Sequence, residues 1–168
     1  MSYGWRRSAG IVTEICDECG FDSRRIRSAA DGLVRTLTEL EELAADPDAQ
    51  RRPAPEVWSA AEYIEHCLHV LAESLTEVAE AARVPFGEPA ASCAAGAAAV
   101  RLLALLVPSA KLAALSIEVP FAQITGTDNL LHALHDLQHH ALDIRRGYAH
   151  LNLRRGEDLH TVSRYPLP

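Results

Sequence analysis

The clearest helix signal in the chain lies in residues 58–82, WSAAEYIEHCLHVLAESLTEVAEAA. Ser59 and Glu62 form a capping box, in which each side chain can hydrogen-bond the backbone amide of the other residue. After this box, apolar residues recur at intervals of three and four, which is the spacing of one buried helix face. The segment VPFGEP follows shortly and contains two prolines, which cannot continue a helix. We therefore predict a helix from Ser59 to about Ala82.

Two further helices are predicted on either side of this one. The first covers residues 23–45, where apolar residues are spaced 4, 3, 4 and 3 apart and Asp22 is positioned to cap the first turn. The linker of residues 45–57, ADPDAQRRPAPEV, follows it, because three prolines interrupt helical hydrogen bonding. The third helix is the alanine-rich stretch of residues 89–107, in which Gly96 would let another helix approach closely.

The fourth predicted helix begins near Thr127 or Asp128 and ends at about Arg146, because Gly147 is a good C-terminal stop. The connection before it, residues 109–126, is expected to contain one short helix or an extended piece. Four helices of about 20 residues, each about 30 Å long, predict an all-α fold. The expected architecture is an up-down four-helix bundle.

The length and composition are those of a single domain. The chain has 168 residues, of which 48% are hydrophobic, so it can bury a sizeable core. Aromatic residues make up only 5%, which is low for an all-β protein. We expect the bundle to occupy residues 23–147. It would follow an N-terminal segment with a Cys-x-x-Cys motif, residues 1–22, and precede a C-terminal extension, residues 148–168.

Composition and charge argue against two classes of partner. With 16 basic and 23 acidic residues the net charge is −7, and sequence-independent nucleic-acid binding needs a basic surface. The most apolar stretch, residues 94–107, contains Arg101 and is too short to span a membrane. The first ten residues lack the apolar core of a signal peptide, so we expect a cytoplasmic location. The four cysteines are then expected to be free thiols.

Four of the eight histidines lie on the predicted fourth helix. His135 and His139 are about one turn apart, so both imidazoles can ligate one ion. His132 and Asp143 lie on the same flank, beside the leucines of the core face, whereas His140 is expected to point to solvent. Helix bundles build metal sites from inward-facing residues of this kind, so the flank is a candidate metal site.

A metal site on this helix needs a third ligand from another helix, because catalytic zinc sites usually have three protein ligands. The second helix offers His66 and His69, and the spacing of the residues does not choose between them. Tyr63 lies on the same flank as His66 and could line a pocket. The alternative is that these histidines are ordinary polar residues on the flanks of helices.

Cys16 and Cys19 form a single Cys-x-x-Cys motif. A structural zinc site would need two further ligands, and the sequence contains no second motif of this kind. A redox dithiol is expected near a βαβ unit, which the sequence does not predict. We therefore expect these two cysteines to pack a loop against the bundle, and Cys67 and Cys93 to be core residues.

Three motifs, taken together, resemble the DinB/YfiT-like proteins. Trp58–His66, WSAAEYIEH, resembles the second-helix signature of that family, in which Trp-Ser or Trp-Thr precedes a Glu and a His. His135–His140, HDLQHH, followed by Asp143–Gly147, DIRRG, resembles the last-helix signature. Cys16–Asp22, CDECGFD, resembles an opening seen in some members. The resemblance covers most of the chain.

The resemblance implies a four-helix bundle that binds one divalent metal ion, usually zinc or nickel, through three histidines. Carried over by position, these metal ligands are His66, His135 and His139. Characterised relatives include thiol transferases that use mycothiol or bacillithiol, and there the metal favours the thiolate form of the cofactor. The resemblance thus implies a metal-dependent transferase that moves a low-molecular-weight thiol to an electrophilic small molecule. The residues expected to line its substrate pocket are Tyr63, His132 and Asp143.

Two other functions stay open at this stage. The first is an isomerisation or cyclisation in secondary metabolism on the same metal site. The second is a non-catalytic interaction module that forms a homodimer. The sequence assigns no catalytic residue and no particular substrate.

Overall fold

The computed structural model of the protein describes residues 5–8, 11–87, 92–119 and 122–162. Most of these residues are helical, as predicted, and two short antiparallel hairpins accompany the helices. The elements are β1 (Trp5–Ser8), β2 (Ile11–Glu14), α1 (Ala29–Ala44), α2 (Ala60–Ala82), α3 (Cys93–Leu106), α4 (Ser109–Ala114), β3 (Ser116–Val119), β4 (Ala122–Thr125) and α5 (Gly126–Val162). Within the described ranges, no helix combines the length and the apolar character that crossing a bilayer requires.

The four longer helices share one hydrophobic core. Helix α1 packs against α3 and α5, and α2 packs against α5 and α3. Gly96 of α3 lies so near α2 that a Cβ on it would be 3.1 Å from Leu71 Cδ2, which confirms the expected close approach. The largest fully buried side chains include Leu33, Leu37, Leu40, Leu71, Leu75, Leu103, Leu134 and Leu137.

Helix α2 begins as predicted, with a complete capping box. The amide of Glu62 donates to Ser59 Oγ at 3.3 Å, and the amide of Ser59 donates to Glu62 Oε2 at 2.8 Å. The guanidinium of Arg52, in the preceding linker, also binds the Glu62 carboxylate. The helix ends at Ala82, and Arg83 follows in the left-handed conformation with φ 54°.

We expect Ser59→Ala to lower the free energy of unfolding by about 1 kcal/mol, because it removes the oxygen that caps α2. The loss should be measurable by urea denaturation near neutral pH. Ser59→Thr is the matched control, since it keeps a hydroxyl in that position. An equal loss in both variants would contradict the role of the cap.

The same capping box predicts an acid-sensitive contribution to stability. Hydrogen bonds from Arg52 and from the Ser59 amide lower the pKa of Glu62 from its ordinary 4.5 to about 2. Because this pKa is lowered in the folded state, the ionised Glu62 stabilises the fold at pH values above its ordinary pKa. This stabilisation is lost as the pH falls towards 2. Glu62→Gln should therefore flatten the pH dependence of stability in this acidic range.

The helix predicted over residues 23–45 begins later than expected. Asp22 caps only a single 3₁₀ turn, Ser23–Arg25, and α1 starts at Ala29 with Ser28 as its N-cap. The connection before the last helix contains both of the expected elements, because α4 is followed by the β3–β4 hairpin.

The prediction that the last helix ends at Gly147 is wrong, because α5 continues to Val162. The glycine serves a close contact instead, since a Cβ at this position would lie 2.9 Å from Pro53 Cγ in the linker. One residue later, the Tyr148 hydroxyl donates to the Leu43 carbonyl at 2.6 Å. Residues 148–162 therefore continue α5, in which Leu151 is buried, and residues 163–168 lie outside the described ranges.

Candidate metal centres

Two neighbouring groups of potential metal ligands each combine residues of α5 with residues from elsewhere in the chain. The cysteine–histidine cluster consists of Cys16, Cys19, His135 and His139. The His–Asp–His cluster consists of His66, Asp136 and His140. Within each cluster, the potential ligand atoms all lie within 4.8 Å of one another. Each cluster takes one i, i+4 pair from α5, and the two pairs are offset by one residue, or about 100° around the helix.

The structure divides the predicted ligand set between these clusters. His135 and His139 lie with the two cysteines, whereas His66 lies with Asp136 and His140. The expectation that His140 points to solvent is wrong, because its side chain is only 17% exposed and its ring centroid lies 5.0 Å from that of Tyr63. Helical spacing alone supports the pair His135/His139 and the pair Asp136/His140 equally. The sequence therefore could not select His140 as a potential ligand.

The His–Asp–His cluster has the donor set of a divalent metal site. Asp136 Oδ2 lies 3.4 Å from His66 Nε2, and Asp136 Oδ1 lies 3.7 Å from His140 Nε2. Ligand bonds of ~2.1 Å place neighbouring donor atoms about 3.4 Å apart in a tetrahedral site. Asp136 Oδ2 is buried and accepts no hydrogen bond from the described residues. Because buried polar atoms are normally satisfied, this carboxylate oxygen fits a bound cation.

Aromatic rings and one further carboxylate surround this cluster. The Trp58 ring centroid lies 5.5 Å from that of His66, and Tyr63 packs against both Trp58 and His140. Asp143 Oδ2 lies 3.1 Å from His140 Nδ1 and accepts its hydrogen bond. Burial, and then the charge of Asp143, raise the pKa of Tyr63, so its hydroxyl stays protonated at neutral pH. The structure thus places two predicted pocket residues, Tyr63 and Asp143, beside this cluster.

The third predicted pocket residue, His132, lies instead at a buried carboxylate. Glu14, at the end of β2, is only 2% exposed, and its Oε1 lies 2.9 Å from His132 Nδ1 and 2.5 Å from His135 Nδ1. The ring of Phe21 stacks on His135 with a centroid distance of 4.7 Å. Sequence patterns could not find Glu14, because its position depends on how the N-terminal segment folds against α5.

The cysteine–histidine cluster favours a thiolate at Cys16. Burial opposes ionisation, but hydrogen bonds from the amides of Cys19 and Glu18 and from His135 outweigh it and lower the pKa of Cys16 to about 6. Burial raises the pKa of Cys19 to about 11, and the neighbouring Cys16 adds to this effect. Thiolates are the form of cysteine that binds metals, so the environment of Cys16 suits a ligand.

The other cysteines and histidines with described side chains lie outside the two clusters. Cys67 and Cys93 are buried in the core, as predicted. His69 is exposed and pairs with Glu73 at 3.2 Å, and His150 is exposed near the middle of α5. The side chain of His160 lies outside the described residues. Cys67, Cys93, His69 and His150 belong to neither cluster.

Comparisons with models of protein families, with curated proteins and with solved structures found no match to this chain.

Proposed function

We propose that this protein is a metal-dependent enzyme that transfers a low-molecular-weight thiol, of the mycothiol or bacillithiol type, to an electrophilic small molecule. The observation that carries the metal-dependent part is the His–Asp–His cluster, where residues of α2 and α5 converge. The resemblance of the two helix signatures to DinB/YfiT-like proteins supports the thiol class. The helices α1, α2, α3 and α5 would form the four-helix bundle of that family.

The number of ligands favours catalysis at this cluster. Three protein side chains leave a coordination position open, whereas structural zinc sites use four. Imidazole and carboxylate donors suit zinc and nickel. All three side chains are half-buried, so the cluster is reached from the surface while its inner oxygen is kept from water.

The surrounding side chains have separate tasks in this proposal. His66, Asp136 and His140 would hold a divalent ion, which would supply Lewis acidity and favour the thiolate form of a bound thiol. Asp143 accepts a hydrogen bond from His140 Nδ1–H, while His140 Nε2 faces Asp136. The protonated hydroxyl of Tyr63 can donate a hydrogen bond to a polar group of the substrate. The half-exposed ring of Trp58 offers an apolar surface beside His66.

The proposal predicts metal-dependent conjugation of a thiol. Protein loaded with zinc or nickel should accelerate the reaction of mycothiol or bacillithiol with monobromobimane above the uncatalysed rate. A chelator should abolish the acceleration, and the same metal should restore it. No acceleration with either thiol would contradict the transferase proposal.

Two histidines on α2 provide a matched pair of variants. His66→Ala should lose the metal-dependent rate, because His66 is the contribution of α2 to the cluster. His69→Ala should retain it, because His69 is exposed and contacts Glu73. The resemblance names His135 and His139 as the other ligands, so His140→Ala separates the two sets. Unchanged activity and metal content in His140→Ala would favour the set implied by the resemblance.

A further inference from the structure

We propose that Cys16, Cys19, His135 and His139 form a second, closed site for Zn²⁺ that fastens the N-terminal segment to α5. The four potential ligand atoms lie within 4.8 Å of one another, and the residues come from opposite ends of the chain. Cys16 and His135 are buried, while Cys19 and His139 are half-buried. Four protein ligands complete a tetrahedral zinc site, so this centre would be structural.

The spacing of the ligands in the sequence fits such a site. The cysteines are separated by two residues and the histidines by three, which are spacings found in zinc sites with two cysteines and two histidines. Here 115 residues separate the pairs rather than a short loop. A local search of the sequence therefore finds two incomplete motifs, and only the fold brings them together.

The distance between ligand atoms also fits zinc. Cys16 Sγ lies 3.6 Å from His139 Nδ1. Zinc bonds of ~2.3 Å to sulfur and ~2.1 Å to nitrogen, at the tetrahedral angle, place these two atoms about 3.6 Å apart. Two thiolates would balance the charge of Zn²⁺, so the bound ion would add no net charge to this buried place.

The backbone around the cysteines forms a tight turn. The Gly20 amide donates to the Cys16 carbonyl at 3.0 Å, and the Cys16 amide donates to the Phe21 carbonyl at 2.9 Å. Gly20 follows Cys19 directly and has φ +75°, a conformation that residues with a Cβ rarely adopt. The turn brings Cys16 and Cys19 to the same side, where α5 supplies the two histidines.

A carboxylate lies near a ring nitrogen of each histidine. Glu14 Oε1 lies 2.5 Å from His135 Nδ1, so a metal in this site would be bound through the other ring nitrogen, Nε2. Glu18 Oε2 lies 3.6 Å from His139 Nε2, while Nδ1 of the same ring faces the Cys16 thiol. Metal-bound histidines typically donate their other ring N–H to a carboxylate, a carbonyl or water, and this contact fixes the ring.

Two other uses of these residues fit the geometry less well. A dithiol that forms a disulfide would require only the cysteines and would not explain why two histidines converge on them. A nucleophilic Cys16 assisted by His135 would need access for a substrate, but Cys16 is 2% exposed. Zinc uses all four side chains and does not require them to be accessible.

The test is the spectrum of the full chain with Co²⁺. Protein stripped of metal under reducing conditions is titrated with Co²⁺, and thiolate ligands give a charge-transfer absorption that histidine and carboxylate ligands do not. We expect this absorption in the wild type and its loss in the double variant Cys16→Ser, Cys19→Ser. His66→Ala, which alters the other cluster, and Cys93→Ser, which removes a buried cysteine outside both, should keep it. Added Zn²⁺ should suppress the band by displacing Co²⁺.

A wild-type spectrum without the charge-transfer band would overturn the proposal, as would a band that persists in the double variant. The wild-type result needs no substitution, so a folding defect in the double variant cannot obscure it. The outcome is separate from that of the proposed function, whose measurement is thiol conjugation and whose sensitive variant is His66→Ala. If the wild type shows the cobalt band but does not accelerate thiol conjugation, only the proposed enzymatic function is contradicted.

Discussion

Asp136→Asn is expected to lower the metal-dependent rate of thiol conjugation by about 100-fold or more. Asp136 supplies the only negative charge of the His–Asp–His cluster and lies between the two imidazoles. Loss of a carboxylate that merely orients a ligand typically costs 10–100-fold in metal affinity or activity, and loss of a ligand should cost at least as much. The measurement is the conjugation rate as a function of metal concentration.

Asp143→Asn is the graded comparison for this prediction. Asp143 contacts His140 Nδ1 and would not bind the metal itself, so its loss should cost about 10-fold. Circular dichroism should show that both variants keep their helices. A rate for Asp136→Asn within a few-fold of the wild type at every metal concentration would contradict the assignment of the ligand.

Leu134→Ala is expected to lower the free energy of unfolding by about 3 kcal/mol, the middle of the range for leucines in well-packed cores. Leu134 is fully buried on α5 and packs against the bare backbone of Gly32 on α1. A Cβ at Gly32 would lie 2.5 Å from Leu134 Cδ2, so the leucine side chain fills the space above the glycine. Because Gly32 has no side chain, it cannot fill the cavity that Leu134→Ala would leave. Urea denaturation in the presence of saturating zinc measures the change.

Leu153→Ala is the control on the same helix. Leu153 is 69% exposed, so the same substitution should change stability by no more than about 0.5 kcal/mol. A similar loss in the two variants would show that the effect comes from the helix itself and not from the core contact between α1 and α5.

Local signals were sufficient for both ends of α2, but not for the start of α1 or the end of α5. The capping box of Ser59 and Glu62 depends on residues three positions apart, and α2 begins where this box predicts. The predicted helix end at Gly147 was wrong, because this glycine is explained by a distant contact rather than a local signal. Its small size allows a close contact with Pro53 in the linker. Helix propensity therefore does not determine what this glycine does.

In the candidate sites, too, some features follow from local helical spacing and others depend on contacts between distant segments of the chain. Helical spacing predicted that His135 and His139 lie together, and the structure places both in one cluster and Tyr63 and Asp143 beside the other. It could not decide between adjacent i, i+4 pairs, because both satisfy the same periodicity. The partners of each pair come from β2, from the turn after it and from α2, and only tertiary structure reveals them.

Asp143 has a consequence for how the two clusters behave together. Its carboxylate lies 3.1 Å from His140 Nδ1 and 3.8 Å from His139 Nε2, so the same negative charge faces one imidazole of each cluster. If cations bind at both clusters, binding at one would change the affinity of the other, and thermodynamic linkage would make this influence equal in both directions. Through this one side chain, the two neighbouring clusters would then act as a single coupled binding system.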